Sequence, residues 1–164
     1  MHRPTSQMQL GVSKAAVADD PRWGKTFTSA LRSEITLAQQ LQVPILEVGG
    51  LAIDSSFRGS TAILQMVFAI YGLAQSLGGA IGISTVTKRH QAAMVLRRLG
   101  GQSLSHEGQE VPAYFDPSYG CEMELLKFYS WSPRTRHQDR FAGLQEQLFE
   151  NFPPLVPKPN RYAN

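Results

Sequence analysis

The chain has little cysteine, no long apolar run and little surplus charge. Cys121 is its only cysteine, so neither an intramolecular disulfide nor a Cys-rich zinc site can form, and a reducing compartment suits it. No apolar run approaches the roughly 20 residues a membrane-spanning helix needs, and the opening MHRPTSQMQL lacks the continuous apolar stretch of a secretory signal. The expectation is a soluble, cytoplasmic chain with no membrane span. Net charge is only +3 over 164 residues, with pI ≈ 9.2. Basic residues are scattered apart from Lys88-Arg89, Arg97-Arg98 and the group Arg134, Arg136 and Arg140. A nucleic-acid binder concentrates more charge on one face, so no nucleic-acid partner is expected. His2, His106 and His137 lack the clustered spacing of a metal site, and no metal is expected. What is present is globular: 42% hydrophobic residues, 18% charged, mean hydropathy −0.21, in a length that fits one domain with a full core.

Residues 1–26 show no clear period and are expected to be irregular. From Phe27 to Gln42, the apolar residues Phe27, Ala30, Leu31, Ile35, Ala38 and Leu41 recur at three or four, the spacing that lines one face of a helix; Pro44 ends it. Ile45–Ile53 is rich in branched residues, too short for a helix, and expected to be a strand. Its Gly49-Gly50 pair marks a bulge or a place where something approaches the backbone closely. Ile63, Met66, Val67, Ile70, Ala74 and Leu77 define a second helix, stopped by Gly78-Gly79. Ala80–Val86 follows as a buried strand. A third helix runs through Ala92, Ala93, Leu96 and Leu99 to Gly100-Gly101. Strand, helix, strand, helix is the grammar of a parallel pair with a crossover, hence an α/β fold.

Gln102–His106, Val111–Phe115 beyond a Glu107-Gly108 turn, and Cys121–Tyr129 are expected as further strands. In the last, Cys121, Met123 and Leu125 alternate with Glu122 and Glu124, as in a half-exposed strand. Arg134–Asn151, carrying Phe141, Leu144 and Leu148, is expected as a last helix. Residues 152–164 form a Pro-rich tail. The expected division is thus 1–26, 27–151 and 152–164.

The junction Phe57-Arg58-Gly59-Ser60-Thr61-Ala62 carries the most chemistry. A turn leads there into a helix whose first N–H groups are unpaired and partly positive, a setting that holds a phosphate. Arg58 adds a charge-assisted contact, Gly59 permits the tight turn, and Ser60 or Thr61 supplies a cap. Read locally, the same residues also suit an ordinary capped helix.

The order of segments resembles the acyl-donor half of the GNAT acyltransferase superfamily. The residues that carry the likeness are a strand ending Leu51-Ala52-Ile53-Asp54, then Phe57-Arg58-Gly59 opening a helix, a second strand, and Arg89-His90 followed by Leu96-Arg97-Arg98-Leu99-Gly100. The usual acetyltransferase turn is R/Q-G-x-G-x-G/A; Thr61 and Ile63 stand here in place of the second and third small residues. The substituted turn is more similar to the branch of acyl-homoserine lactone synthases and long-chain N-acyl amino acid synthases. Glu47 falls where that branch has the glutamate of E-x-S-R-F/L, with Gly49-Gly50-Leu51 replacing the rest. Ser84–His90 is similar to its T-x-R-H segment, and Tyr114–Glu124 to its late strand.

The resemblance implies a GNAT-like mixed central sheet flanked by helices, and a co-substrate that is acyl-CoA or acyl-phosphopantetheine, the latter on an acyl carrier protein. It places Leu51, Ala52, Ile53, Arg58, Gly59, Ser60, Thr61 and Ala62 at the acyl donor. Glu47 is implied as the base that deprotonates an attacking amine, with His90 as a second catalytic group. Ser84, Thr85 and Arg89 are placed at the substrates, a small-molecule amine among them, with Ser84 and Thr85 either lining an acyl cleft or satisfying backbone groups. Tyr114 and Tyr119 flank an Asp-Pro turn, where either suits the protonation of a leaving thiolate and turn packing accounts for both equally. The family opens with a strand, one or two helices and two more strands ahead of the segment that begins here near Phe27, and residues 1–26 are too few for these. The expected domain is therefore shortened on its N-terminal side, as a fragment, a short form, or a sheet completed by another chain, which makes self-association one expected partnership. The alternative function is a non-catalytic remnant that binds acyl carrier or acyl-CoA.

Overall fold

The computed structural model describes residues 10–49, 62–89, 92–132 and Gly143. Three α-helices, α1 (Gly24–Leu41), α2 (Ala62–Ser76) and α3 (Ala92–Arg98), are described with seven strands: β1 (Ile45–Glu47), β2 (Ile81–Thr87), β3 (Gln102–Ser103), β4 (Ser105–His106), β5 (Gln109–Glu110), β6 (Tyr114–Asp116) and β7 (Cys121–Tyr129). Among the described residues no helix is long and apolar enough to cross a membrane.

The first helix begins at Gly24, earlier than its apolar period requires, because Asp20 prepares the entry. The Asp20 carboxylate accepts the N–H groups of Arg22 (2.7 Å) and Trp23 (3.0 Å), and its carbonyl accepts that of Gly24 (2.8 Å). Gln42 ends the helix in the left-handed region (φ 56°), while the N–H groups of Gln42 and Val43 return to the carbonyls of Gln39 and Ala38. The same closure stops α2 at Gly78 (φ 95°) and α3 at Gly100 (φ 116°), where glycine supplies that conformation without strain.

The parallel pair expected from the sequence is present. β1 lies parallel to β2 in the register Ile45↔Ile81 to Glu47↔Ile83, with α2 in the crossover. β7 pairs antiparallel along the other side of β2, from Ile81↔Tyr129 to Thr87↔Met123. β7 in turn carries β3 at Leu126–Lys127 and β6 at Cys121–Met123. The architecture is thus α/β with a mixed sheet. Glu107 (φ 49°) and Gly108 (φ 79°) form the two-residue turn of a separate β4–β5 hairpin.

Two expected strands are differently placed. Gln102–His106 divides at buried Leu104, whose N–H donates to Leu125 while its carbonyl accepts from Val111, so that β4 leaves the main sheet. The strand expected over 111–115 is instead Tyr114–Asp116, since Pro112 has no N–H for a ladder.

Alternation sends the two sides of the sheet to different layers. Ile81, Ile83 and Leu125 pack with Phe27, Ala30, Leu31 and Ala38 of α1. Val86, Leu126 and Phe128 pack with Val67, Phe68 and Tyr71 of α2 and with Ala93 of α3. The described part of the aperiodic N-terminal segment, from Leu10 on, belongs to the first layer: two 3-10 turns, Gly11–Lys14 and Ala16–Asp19, bury Val12 and Val17 in that core. Periodicity could not reveal a segment that contributes one core residue per turn.

Gly24 locks this segment onto α1. A Cβ there would lie 2.4 Å from the Ala18 carbonyl oxygen and 3.2 Å from its carbon, both backbone atoms. Gly24→Ala is expected to gain about 1 kcal/mol of helix propensity but to lose about 2–3 kcal/mol to overpacking. Urea unfolding should show net destabilisation of about 1–2 kcal/mol; a stabilised variant would mean that Val12 and Val17 are not held against the helix as described.

Candidate functional site

The described pairing of β1 with β2 ends near their carboxyl ends. Their pairing closes at Glu47↔Ile83, with one further bond from the Val48 N–H to the Ile83 carbonyl at 2.8 Å. β2 continues to Thr87, and among the described residues Ser84–Thr87 pair only with Met123–Leu126 of β7. Among the described residues, that side of the β2 backbone has no strand partner beyond Ile83.

The helix of the crossover fixes what lies at this end of the sheet. The carboxyl end of α2 is tied to the amino end of β2: the Gln75 side-chain amide donates to the Ser130 carbonyl at 2.6 Å, and the Ala80 N–H to the Ser130 hydroxyl at 2.9 Å. Fifteen helical residues span about 22 Å, so the N-terminus of α2 at Ala62 lies toward the carboxyl end of the strands. An α/β sheet takes its ligands there, next to partly positive helix starts.

Glu47 faces the α1 side of the sheet, and its Oε2 accepts the Val12 N–H at 3.1 Å. A Cβ on Gly11 would stand 3.1 Å from both carboxylate oxygens, so the 3-10 turn lies against this side chain, which is itself exposed. Thr85 lies on the same sheet face, two residues past the partner of Glu47. Ser84 is buried on the opposite face, with its hydroxyl 3.4 Å from the Thr85 carbonyl. Ser84 and Thr85 therefore point to opposite faces of the sheet, as strand alternation requires.

Arg89 sits just past β2 and is exposed. Its N–H donates to the Thr87 hydroxyl (3.0 Å) and its guanidinium to the Gly120 carbonyl (2.6 Å), so the guanidinium already has a backbone partner. Tyr114 stands across β7 from the end of β2. Burial foremost, then Asp116 and Tyr119, pushes its hydroxyl up to about 12, so it remains a proton donor at neutral pH. Cys121 is buried against Met123, 3.7 Å from its sulfur, as an inert thiol would be. Leu51, Ala52, Ile53, Arg58, Gly59, Ser60, Thr61 and His90 lie outside the described residues, and of Ala62 only its place at the start of α2 is described.

Sequence reasoning missed Glu34. It occupies a core-facing position of α1, buried, where its carboxylate accepts the Lys127 ammonium at 2.7 Å and the Tyr129 hydroxyl at 2.9 Å. Trp131 stacks on Tyr129 at 5.3 Å. The signal was available: an acid within the stripe Phe27, Ala30, Leu31 and Ala38 needs a buried partner.

A serine–histidine contact elsewhere is not a nucleophile pair. Ser33 lies 3.2 Å from His106 Nδ1 in an open groove along α1, but its hydroxyl donates to the Ser29 carbonyl at 3.0 Å, the back-bonding of a helical serine. Comparison of the chain with family models, curated proteins and solved structures gives no match.

Proposed function

We propose that the chain is an N-acyltransferase of GNAT-like architecture that moves a long-chain acyl group from an acyl carrier protein or coenzyme A to the amine of an amino acid or related small molecule. The observation that carries this reading is that, among the described residues, the β1–β2 pairing ends at Glu47↔Ile83, at the end of the sheet toward which α2 begins. A strand side with no partner among the described residues offers N–H and C=O groups to the amide-bearing pantetheine arm, which adds there as a strand would. The start of α2, with Arg58 ahead of it, suits the phosphate.

In the proposed reaction Glu47 takes a proton from the amine, directly or through one water. The neutral nitrogen then attacks the thioester carbonyl; a C–N bond forms, the C–S bond breaks, and the thiolate leaves to be protonated. Amine and thioester become amide and thiol. A second reading, binding without turnover, is favoured by the engagement of Glu47 with Val12, which gives that carboxylate a structural task.

The test incubates the full chain with a long-chain acyl-CoA and a panel of amino acids, and follows free thiol together with the mass of the product. Amine-dependent thiol release with formation of an N-acyl product is expected. Calorimetric binding of the thioester without thiol release selects the second reading, and absence of binding by acyl-CoA and acyl carrier protein alike overturns both.

A further inference from the structure

Helix α1 turns Phe27, Ala30, Leu31 and Ala38 into the core, and its outer side forms with His106 of β4 a groove of about 430 Å³. That volume lies in the range of small-molecule sites. Leu37 is the one apolar residue of the lining, and no carboxylate belongs to it. Ser29, Thr36 and Gln40 bring hydroxyls and an amide, while Arg32 and His106 bring the basic groups.

Arg32 is exposed and has no acid to meet. A helical arginine is in reach of side chains three and four residues away, and those positions hold Thr28, Ser29, Ile35 and Thr36. The one acid of α1, Glu34, is buried and bonded to Lys127 and Tyr129. Among the described residues the side chains of Arg32, Ser29, Thr36 and Gln40 have no ion pair or hydrogen bond. His106 is held in one orientation. The Ser33 hydroxyl donates its one proton to the Ser29 carbonyl at 3.0 Å, so at 3.2 Å from Nδ1 it accepts, and Nδ1 carries the hydrogen. Nε2 stands 4.0 Å from the Glu107 carboxylate, which is 86% exposed, a separation too long for a hydrogen bond.

We propose that this groove binds the phosphate monoester of a small hydroxylated compound, such as a sugar phosphate. The planar guanidinium of Arg32 matches two phosphate oxygens at once, and the Ser29 and Thr36 hydroxyls donate to the others. Nε2 of His106 accepts the hydrogen of a singly ionised phosphate or, when protonated, pairs with the doubly ionised form. Gln40 lies eight residues from Arg32, about 12 Å along the helix, a span longer than one phosphate. Its amide therefore serves the hydroxyl groups of the rest of the molecule. A cationic occupant finds no carboxylate in the lining, and an apolar one finds only Leu37.

The test titrates the full, isotope-labelled chain with glucose 6-phosphate and follows the amide shifts. Because this probe carries neither thioester nor pantetheine, its outcome is independent of the acyl-transfer reading. Saturable changes are expected at Ser29–Gln40 and His106, with none from glucose and several-fold weaker binding of inorganic phosphate. Arg32→Gln is expected to weaken binding about tenfold or more, the worth of a charge-assisted contact. Lys25→Gln removes the same charge from α1 outside the groove and is expected to change the affinity less than about twofold. His106→Asn keeps a donor for Ser33 without Nε2 and is expected to bind several-fold more weakly. If Arg32→Gln loses its fold, Arg32→Lys repeats the test with the charge kept and the planar fork removed. Absence of saturation at tens of millimolar glucose 6-phosphate overturns the proposal, as does an equal loss in Lys25→Gln, which would reduce the attraction to net charge. Inorganic phosphate bound as tightly as glucose 6-phosphate overturns the role given to Gln40.

Discussion

Replacing Lys127 by Met lowers the unfolding free energy by about 3–5 kcal/mol, because it leaves the Glu34 carboxylate buried without its counter-charge. Glu34 and Lys127 side chains are only 5% and 13% exposed, and their contact of 2.7 Å spans the interface between α1 and the sheet. The loss is a large share of the 5–15 kcal/mol typical of a whole domain. The pair itself is worth much less than its disruption: Lys127→Met combined with Glu34→Leu is expected to recover most of the loss, because an apolar pair of similar volume leaves no charge stranded.

The pH dependence has a defined sign. Burial alone depresses the Lys127 ammonium, but its bond to Glu34 and the charge of that residue outweigh burial and hold it above its ordinary value of 10.5. Burial, and then Glu34, raise the Tyr129 hydroxyl above 10.0. Both groups bind their protons more tightly in the folded chain, so their contribution is complete below the ordinary values and is lost as pH rises through the folded ones. Urea midpoints should fall on the alkaline side above about pH 10, and the double variant should show a shallower fall. An unchanged midpoint in Lys127→Met at pH 7 would contradict the buried pair.

Glu47→Gln separates the chemical role of Glu47 from its structural one. Glutamine keeps an oxygen for the Val12 N–H, so the 3-10 turn stays docked and the fold persists. It cannot take a proton from an amine at neutral pH. Turnover is expected to fall by about 10²- to 10⁴-fold, the usual worth of a general base, while the binding of acyl-CoA stays within a few-fold. A variant as active as the parent, with only a lowered unfolding midpoint, would assign Glu47 to holding the N-terminal segment alone.

The elements that announced themselves were those with a period and a stop. The apolar spacings of α1 and α2, and the glycine pairs after α2 and α3, correspond to the observed helices and their closures because helix ends of this kind need a residue at positive φ. The parallel pair followed from element order, since a strand, a helix and a strand admit few arrangements. The placement of Val12 and Val17 was not legible, because single core residues in 3-10 turns leave no repeat. Nor was the division at Leu104, which depends on long-range bonds to Leu125 and Val111.

At the candidate site, the position of Glu47 and Thr85 at one end of the sheet could be anticipated from topology. The placement of Ser84 and Thr85 on opposite faces follows equally from strand alternation. The hold of Val12 on Glu47 joins residues 35 apart in sequence, and no local pattern encodes it.

The most direct measurement records amide chemical shifts of the full-length, isotope-labelled chain during titration with a long-chain acyl-pantetheine thioester. The largest changes are expected at Val48, Gly49 and Ser84–Thr87, the backbone where the described pairing of β1 with β2 ends. Changes confined to β3, β6 or the outer groove of α1, or no change at saturating thioester, would contradict a donor site between those strands.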